Sequence, residues 1–117
     1  MALTEDLLRG YTDAILLRML ASGESYGYEM NRTLAQISGG HFDLKEATLY
    51  TAFRRLEQAG CITARWGDGN SGARRRYYAL TDAGRERLRR ELDAWRETRE
   101  LLDLLLQGET AHKEAEL

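Results

Sequence analysis

A mainly α-helical fold with one small β-hairpin follows from three observations on the sequence. Apolar residues recur at helical steps in each of its first three segments. Two short runs of alternating residues then flank a glycine-rich loop, and the stretch after them continues to about residue 107 with no breaker except Gly84, close to its start.

The first periodic segment extends from about Thr4 to Leu20, its stripe formed by Leu7, Leu8, Tyr11, Ala14, Ile15, Met19 and Leu20, and Gly23 in "ASGES" ends it. A second helix runs through about Ile37. Tyr26, Met30, Leu34 and Ile37 are its expected buried side, and Gly39 and Gly40 stop it. The third segment, "LKEATLYTAFRRLEQAG", has the clearest pattern: Leu49, Ala52, Phe53 and Leu56 follow i, i+3, i+4, i+7, and Gly60 supplies the left-handed stop. Thr48, Thr51, Arg54, Arg55 and Gln58 therefore look outward, with Tyr50 at the edge of the stripe and Lys45 at the start of the segment.

"CITARW" places Ile62, Ala64 and Trp66 on one face. "RRYYAL" places Arg76, Tyr78 and Leu80 on one side and Arg75, Tyr77 and Ala79 on the other. Joined by the loop that carries Gly67, Gly69 and Gly72, the two runs make a hairpin. Thr81 then serves as an N-cap, with Asp82 complementing the dipole of the helix it opens. That helix spans about 26 residues and roughly 39 Å at 1.5 Å per residue. Leu88, Leu92, Trp95, Arg99, Leu102 and Leu106 repeat along it at heptad spacing, a stripe too long for the small domain before it to cover. The expected division is residues 1–81 as one domain, 82–107 as a C-terminal helix and 108–117 as a disordered tail.

Composition narrows the function classes. With 43% hydrophobic and 31% charged residues the chain reads as a soluble globular domain, and it has no uncharged apolar run of the ~18 residues needed to span a membrane. "MALTEDLLRG" lacks the basic region of a secretory signal, so a cytoplasmic location is expected. Lone Cys61, in "AGCIT", reads as a small buried hydrophobe, and His41 and His112 have no second Cys or His near them, which argues against zinc. No base, nucleophile and orienting residue come together and no phosphate loop is present, so neither an enzyme nor a cofactor is expected.

The net charge of -2 hides an asymmetry. Between Lys45 and Arg90 eleven Lys and Arg face five Asp and Glu, giving +6, while the remainder carries six against fourteen, giving -8. Potential acts locally, so an acidic chain can still present a basic face to a polyanion. The order helix, helix, helix, hairpin, long helix is that of a winged helix-turn-helix, whose third helix enters the DNA major groove while the wing touches backbone or minor groove. Hydroxyls and arginines on that third helix suit base edges and phosphates, and Arg74, Arg75 and Arg76 suit phosphates. Asp68 or Asp82 can neutralise one of these arginines but not all of them. On the third helix, Glu57 is the local partner open to Arg54, whereas Arg55 has no acid at helical spacing and is expected to face solvent.

"SYGYEM" opening the second helix, "TLYTAFRRLEQAGCI" across the third and "SGARRRYYALTDAGR" across wing and final helix resemble the PadR family of bacterial transcriptional regulators, over nearly the whole chain. The single C-terminal helix resembles the compact subfamily that dimerises through it. Phe53 and Cys61 stand where family members often carry leucine, and Ala73 where a proline is common. The resemblance implies a homodimer that binds double-stranded DNA at a pseudo-palindromic operator and represses transcription, released by a small hydrophobic or aromatic effector. DNA contact is then expected from Lys45, Thr48, Tyr50, Thr51, Arg54, Arg55, Arg74, Arg75, Arg76 and, through its hydroxyl, Tyr28. Leu88, Leu92, Trp95, Leu102 and Leu106 are the expected dimer interface. Trp95 is also the candidate effector contact, although apolar residues at heptad spacing are core first. The rival from another class is a dimeric winged-helix module that binds protein and no specific DNA.

Overall fold

The computed structural model describes residues 2–69 and 74–108; Gly72 and Ala73 of the wing loop and residues 109–117 of the expected tail lie outside the described residues. The elements are α1 (Ala2–Arg9), α2 (Thr12–Ala21), β1 (Ser25–Tyr26), α3 (Gly27–Ile37), α4 (Glu46–Gln58), β2 (Ile62–Asp68), β3 (Arg74–Leu80) and α5 (Asp82–Gln107). The strands form one antiparallel sheet in the order β1-β3-β2. This is the winged helix-turn-helix expected, with α3 and α4 as the helix pair, β2 and β3 as the wing and α5 as the long final helix.

The elements depart from the sequence reading in three places. The first periodic segment is two helices, because Gly10 N donates to Leu7 O (3.2 Å) and Tyr11 N to Leu8 O (2.9 Å), tightening the end of α1. The Thr12 hydroxyl donates to Arg9 O (2.8 Å) at the break. Leu8 and Ile15 still pack against the core on either side of the break, so the apolar rhythm runs through it, while Leu7 is left exposed. Tyr26 does not open the second helix; it pairs with Tyr77 as a third strand, and α3 begins at Gly27. Ile37, expected inside, is the last residue of α3 and 73% exposed, because the chain turns away after it.

The core brings Leu16, Leu17 and Leu20 of α2 against Met30 of α3 and Phe53 and Leu56 of α4. The turn of the helix pair is braced by Asn31. Its amide donates to Leu44 O (2.9 Å) and Asp43 Oδ1 (3.1 Å), and its carbonyl accepts from Leu44 N (3.0 Å). Satisfying these backbone groups on the loop fixes the angle at which α4 leaves it.

A second junction ties α4, the wing and α5 together. Gly60, at φ 76°, turns the chain out of α4. Thr81 returns to the same point: its N donates to Cys61 O (3.0 Å) and its hydroxyl to Gly60 O (2.7 Å), while its oxygen accepts from Gly84 N (3.0 Å) as the N-cap of α5. A Cβ on Gly84 would lie 2.1 Å from Cys61 O, so only glycine lets α5 start this close. Gly84→Ala is expected to cost about 2 kcal/mol or more of folding free energy by backbone displacement, read as a lower urea midpoint; an unchanged midpoint would show that the junction yields freely.

Candidate nucleic-acid interface

Burial of Leu49, Ala52, Phe53 and Leu56 decides what α4 shows to solvent. Thr48, Tyr50, Thr51, Arg54 and Arg55 are all exposed on its free side, and Lys45 is exposed at its N-cap. The Thr51 hydroxyl donates to Ala47 O (2.8 Å), so its oxygen keeps acceptor capacity outward. Tyr50 meets Phe53 edge to face at 6.0 Å, which holds its ring at the rim of the helix.

The two arginines of α4 differ. Arg54 makes no hydrogen bond or ion pair among the described residues. Glu57, the acid expected beside it, lies instead 3.5 Å from Arg76 of the wing. Arg55, expected to face only solvent, is bidentate to Asp13 of α2 at 2.5 and 3.1 Å. The fold supplies an acid from 42 positions away, which helical spacing could not reveal. Asp13 also accepts from Arg87 of α5 at 3.0 Å, and Arg87 reaches Glu91 at 3.0 Å. One carboxylate thus joins α2, α4 and α5. The hydrogen bonds that Arg55 donates to Asp13 raise the Arg55 pKa further, fixing its charge.

The wing attaches to α4 through a stacked pair. Phe53 and Tyr78 lie 4.0 Å apart at 18° between planes. Burial raises the Tyr78 phenol above its ordinary range, so it stays neutral. Beyond this anchor the hairpin faces separate by register. On one face Trp66 lies directly across from Arg76, and Asp68 across from Arg74. The guanidinium carbons of Arg74 and Arg76 sit 5.3 and 5.2 Å from the Trp66 ring centroid. On the other face Arg75 covers Tyr26 at 4.3 Å and Arg65 covers Tyr77 at 4.8 Å. Arg65 also clasps Glu24 at 2.6 and 2.8 Å, and its hydrogen bond holds that carboxyl below the usual range. Among the described residues Arg74 and Arg75 have no acidic partner. Neither Asp68 nor Asp82, the acids expected from sequence, forms an ion pair with the run, although Asp68 lies across the sheet from Arg74; Glu57 does, through Arg76.

Between wing and α4 lies an open cleft of about 480 Å³ lined by Tyr28, Tyr50, Trp66 and the three consecutive arginines. It gathers residues from α3, α4, β2 and β3. Sequence reasoning placed Tyr50, Tyr28 and the arginines as candidates, took Tyr26 for a packing residue only, and passed over Trp66 and Asp13. Alternation put Trp66 on one face of the hairpin, yet only the pairing register reveals which arginines it meets.

Along α5 the stripe divides. Leu88 packs against the core of its own chain, and Trp95 meets Tyr11 edge to face at 5.4 Å. Leu92 and Leu102 are exposed, and Leu105 and Leu106 are 77% and 80% exposed. No helix among the described residues is long and apolar enough to cross a membrane.

Residues 16–90 match the transcriptional regulator PadR-like family. The chain belongs to the PadR-like family of transcriptional regulators. The PadR-like match runs from the core of α2 through helix pair and wing into the first turns of α5, the span that holds the basic cleft. An uncharacterised protein of Lysinibacillus sphaericus is 38% identical over 103 residues, 88% of this chain and 94% of that one. A PadR family transcriptional regulator from Eggerthella lenta superposes with a TM-score of 0.81 at 30% identity, covering 92% of this chain and 91% of that one. A transcriptional regulator from Clostridium thermocellum does so with 0.77 at 36% identity, covering 84% and 95%. The chain is thus a regulator with the winged helix-turn-helix of its PadR relatives, and not an enzyme.

The shared carboxylate gives a measurable asymmetry in this PadR-like fold. Asp13→Ala takes a partner from Arg55 and from Arg87 at once, leaving Arg87, only 27% exposed at its side chain, with Glu91 alone, and is expected to lower unfolding free energy by about 1–3 kcal/mol. Arg55→Ala removes a side chain 53% exposed and is expected to cost about 1 kcal/mol or less. Urea unfolding of both variants checks the order, and equal costs would contradict it.

Proposed function

We propose that this PadR-like regulator binds a pseudo-palindromic operator as a homodimer, α4 reading the major groove and the wing holding the backbone. The observation that carries the reading is the basic face: Arg74 and Arg75 in the cleft and Arg54 on the exposed side of α4 stand without acidic partners among the described residues, with the exposed Tyr28 and Tyr50 in the cleft, in a chain of net charge -2. A guanidinium left unpaired by its own fold is available to phosphate. Tyr50, Thr48 and Thr51 supply hydroxyls on the face that would meet base edges, and Lys45 and Tyr28 flank it. Arg55 contributes less than its neighbours in this reading, because Asp13 already occupies its fork.

The exposed leucines of α5, with Leu92 and Trp95 beside them, support pairing of two copies through this helix, since an apolar stripe of this length is unfavourable in water. Leu88 contributes from behind, through the core. The Tyr11 contact supports a packing role for Trp95 ahead of effector stacking. Repression follows if the dimer occupies a promoter and excludes polymerase, and a cytoplasmic location accords with that reading.

Fluorescence anisotropy with the DNA upstream of its own gene, at about 50 and 200 mM salt, tests the reading. Binding is expected to weaken steeply between the two. Arg75→Ala should lower the log-log salt slope by about one and weaken specific and random DNA alike, whereas Arg54→Ala should cost more on the specific site. Absence of binding at both salts would favour a protein-binding module instead.

A further inference from the structure

Three consecutive arginines on a narrow hairpin repel one another, and a long guanidinium side chain loses rotamer freedom when it grips a phosphate. The wing deals with Arg74 and Arg76 in one way. Both lie against a single indole, and that indole is 52% exposed, an unusual outlay of apolar surface on a strand that otherwise ends in solvent. Register explains the arrangement: Trp66 is directly across from Arg76 and diagonal to Arg74, on the face that continues from buried Ile62 and Tyr78 out toward the wing tip. The hairpin is rooted there by the Phe53–Tyr78 stack, so the indole is fixed relative to α4.

We propose that Trp66 is the positioning residue of the DNA-binding wing: its indole holds the Arg74 and Arg76 guanidiniums in place beside α4, so that they meet phosphate already ordered. The inference rests on the DNA-binding reading of the cleft and adds to it a residue that carries no charge. Cation–π contact is the only side-chain interaction Arg74 makes among the described residues, its backbone being paired with Asp68 in the sheet. For Arg76 it works with Glu57, whose oxygen is 3.5 Å away. When phosphate arrives it competes with Glu57 for Arg76 and can leave the indole contact in place, because a cation–π contact is made by the charge of the guanidinium and does not use up all of its N–H donors. Arg75, on the opposite face with Tyr26, lies outside this arrangement.

The test has two arms. In the free protein, NMR should show ring-current shifts on the side-chain protons of Arg74 and Arg76 that vanish in Trp66→Leu; shifts that persist would overturn the contact itself. In anisotropy titrations, Trp66→Ala should bind DNA about fivefold more weakly, in line with the energy of exposed cation–π pairs. Trp66→Phe should recover most of the loss. The salt slope should stay at its wild-type value in both, since no charge is removed, whereas Arg74→Ala lowers it by about one. In an Arg74→Ala, Arg76→Ala background, Trp66→Ala should have no further effect. An undiminished loss there would mean that the indole touches DNA directly and would overturn the positioning role. Wild-type affinity in Trp66→Ala, alongside weakened binding in Arg75→Ala, would sink this inference and leave the DNA reading standing. Failure of the wild-type protein to bind DNA would end both. Circular dichroism on each variant establishes that it is folded.

Discussion

The basic face depends on one aromatic contact. Phe53, buried on α4, and Tyr78, buried on β3, stack at 4.0 Å, and everything that α4 and the wing can do together requires that they keep this relation. Gly27 lets α3 approach the same ring closely: a Cβ there would sit 3.3 Å from Phe53 and 3.2 Å from Leu49, closer than an ordinary side-chain contact. The ring of Phe53 is thus shared by helix pair and wing. Exposed groups borrow their positions from it: Tyr50 through an edge contact, Arg74 and Arg76 through the strand that Tyr78 anchors.

Electrostatics then divides the arginines into two groups. Those that meet acids inside the fold serve as ties: Arg55 and Arg87 on Asp13 link α4 to α5, and Arg65 on Glu24 fastens the hairpin to the turn before β1. Those that meet aromatic rings and no acid among the described residues, Arg74 and Arg75, keep their hydrogen-bonding edges unspent, while Arg76 meets both Trp66 and Glu57. A count of charges between Lys45 and Arg90 cannot separate these groups, because both add the same +1. Their difference lies in tertiary partners, and it decides which cations remain for a polyanion.

Local patterns made much of the architecture legible. The i, i+3, i+4, i+7 stripe of α4, the alternation of the hairpin, and Thr81 as a cap are short-range facts about side chains and their own backbone, and the fold class follows from their order. What stayed hidden was set by long-range pairing. The break at Gly10 was masked because apolar residues continue on both sides of it, and β1 is too short to show alternation in its Ser25–Tyr26. Asp13 stood 42 residues from Arg55 and 74 from Arg87, and Trp66 met its arginines only through strand register. Exposed residues of the face were readable by subtraction once the buried stripe of α4 was known, but their partners were not.

The central claim is that two copies joined along α5 present two such faces to one DNA duplex. Hydroxyl-radical footprinting on the DNA upstream of the gene tests it most directly, because it reads symmetry and spacing together. Two equivalent protected patches related by a two-fold axis, separated by one or two helical turns of about 10–10.5 base pairs each, are the result this structure calls for. A single unpaired patch, or uniform protection that disappears at about 200 mM salt without any half-site, would contradict it.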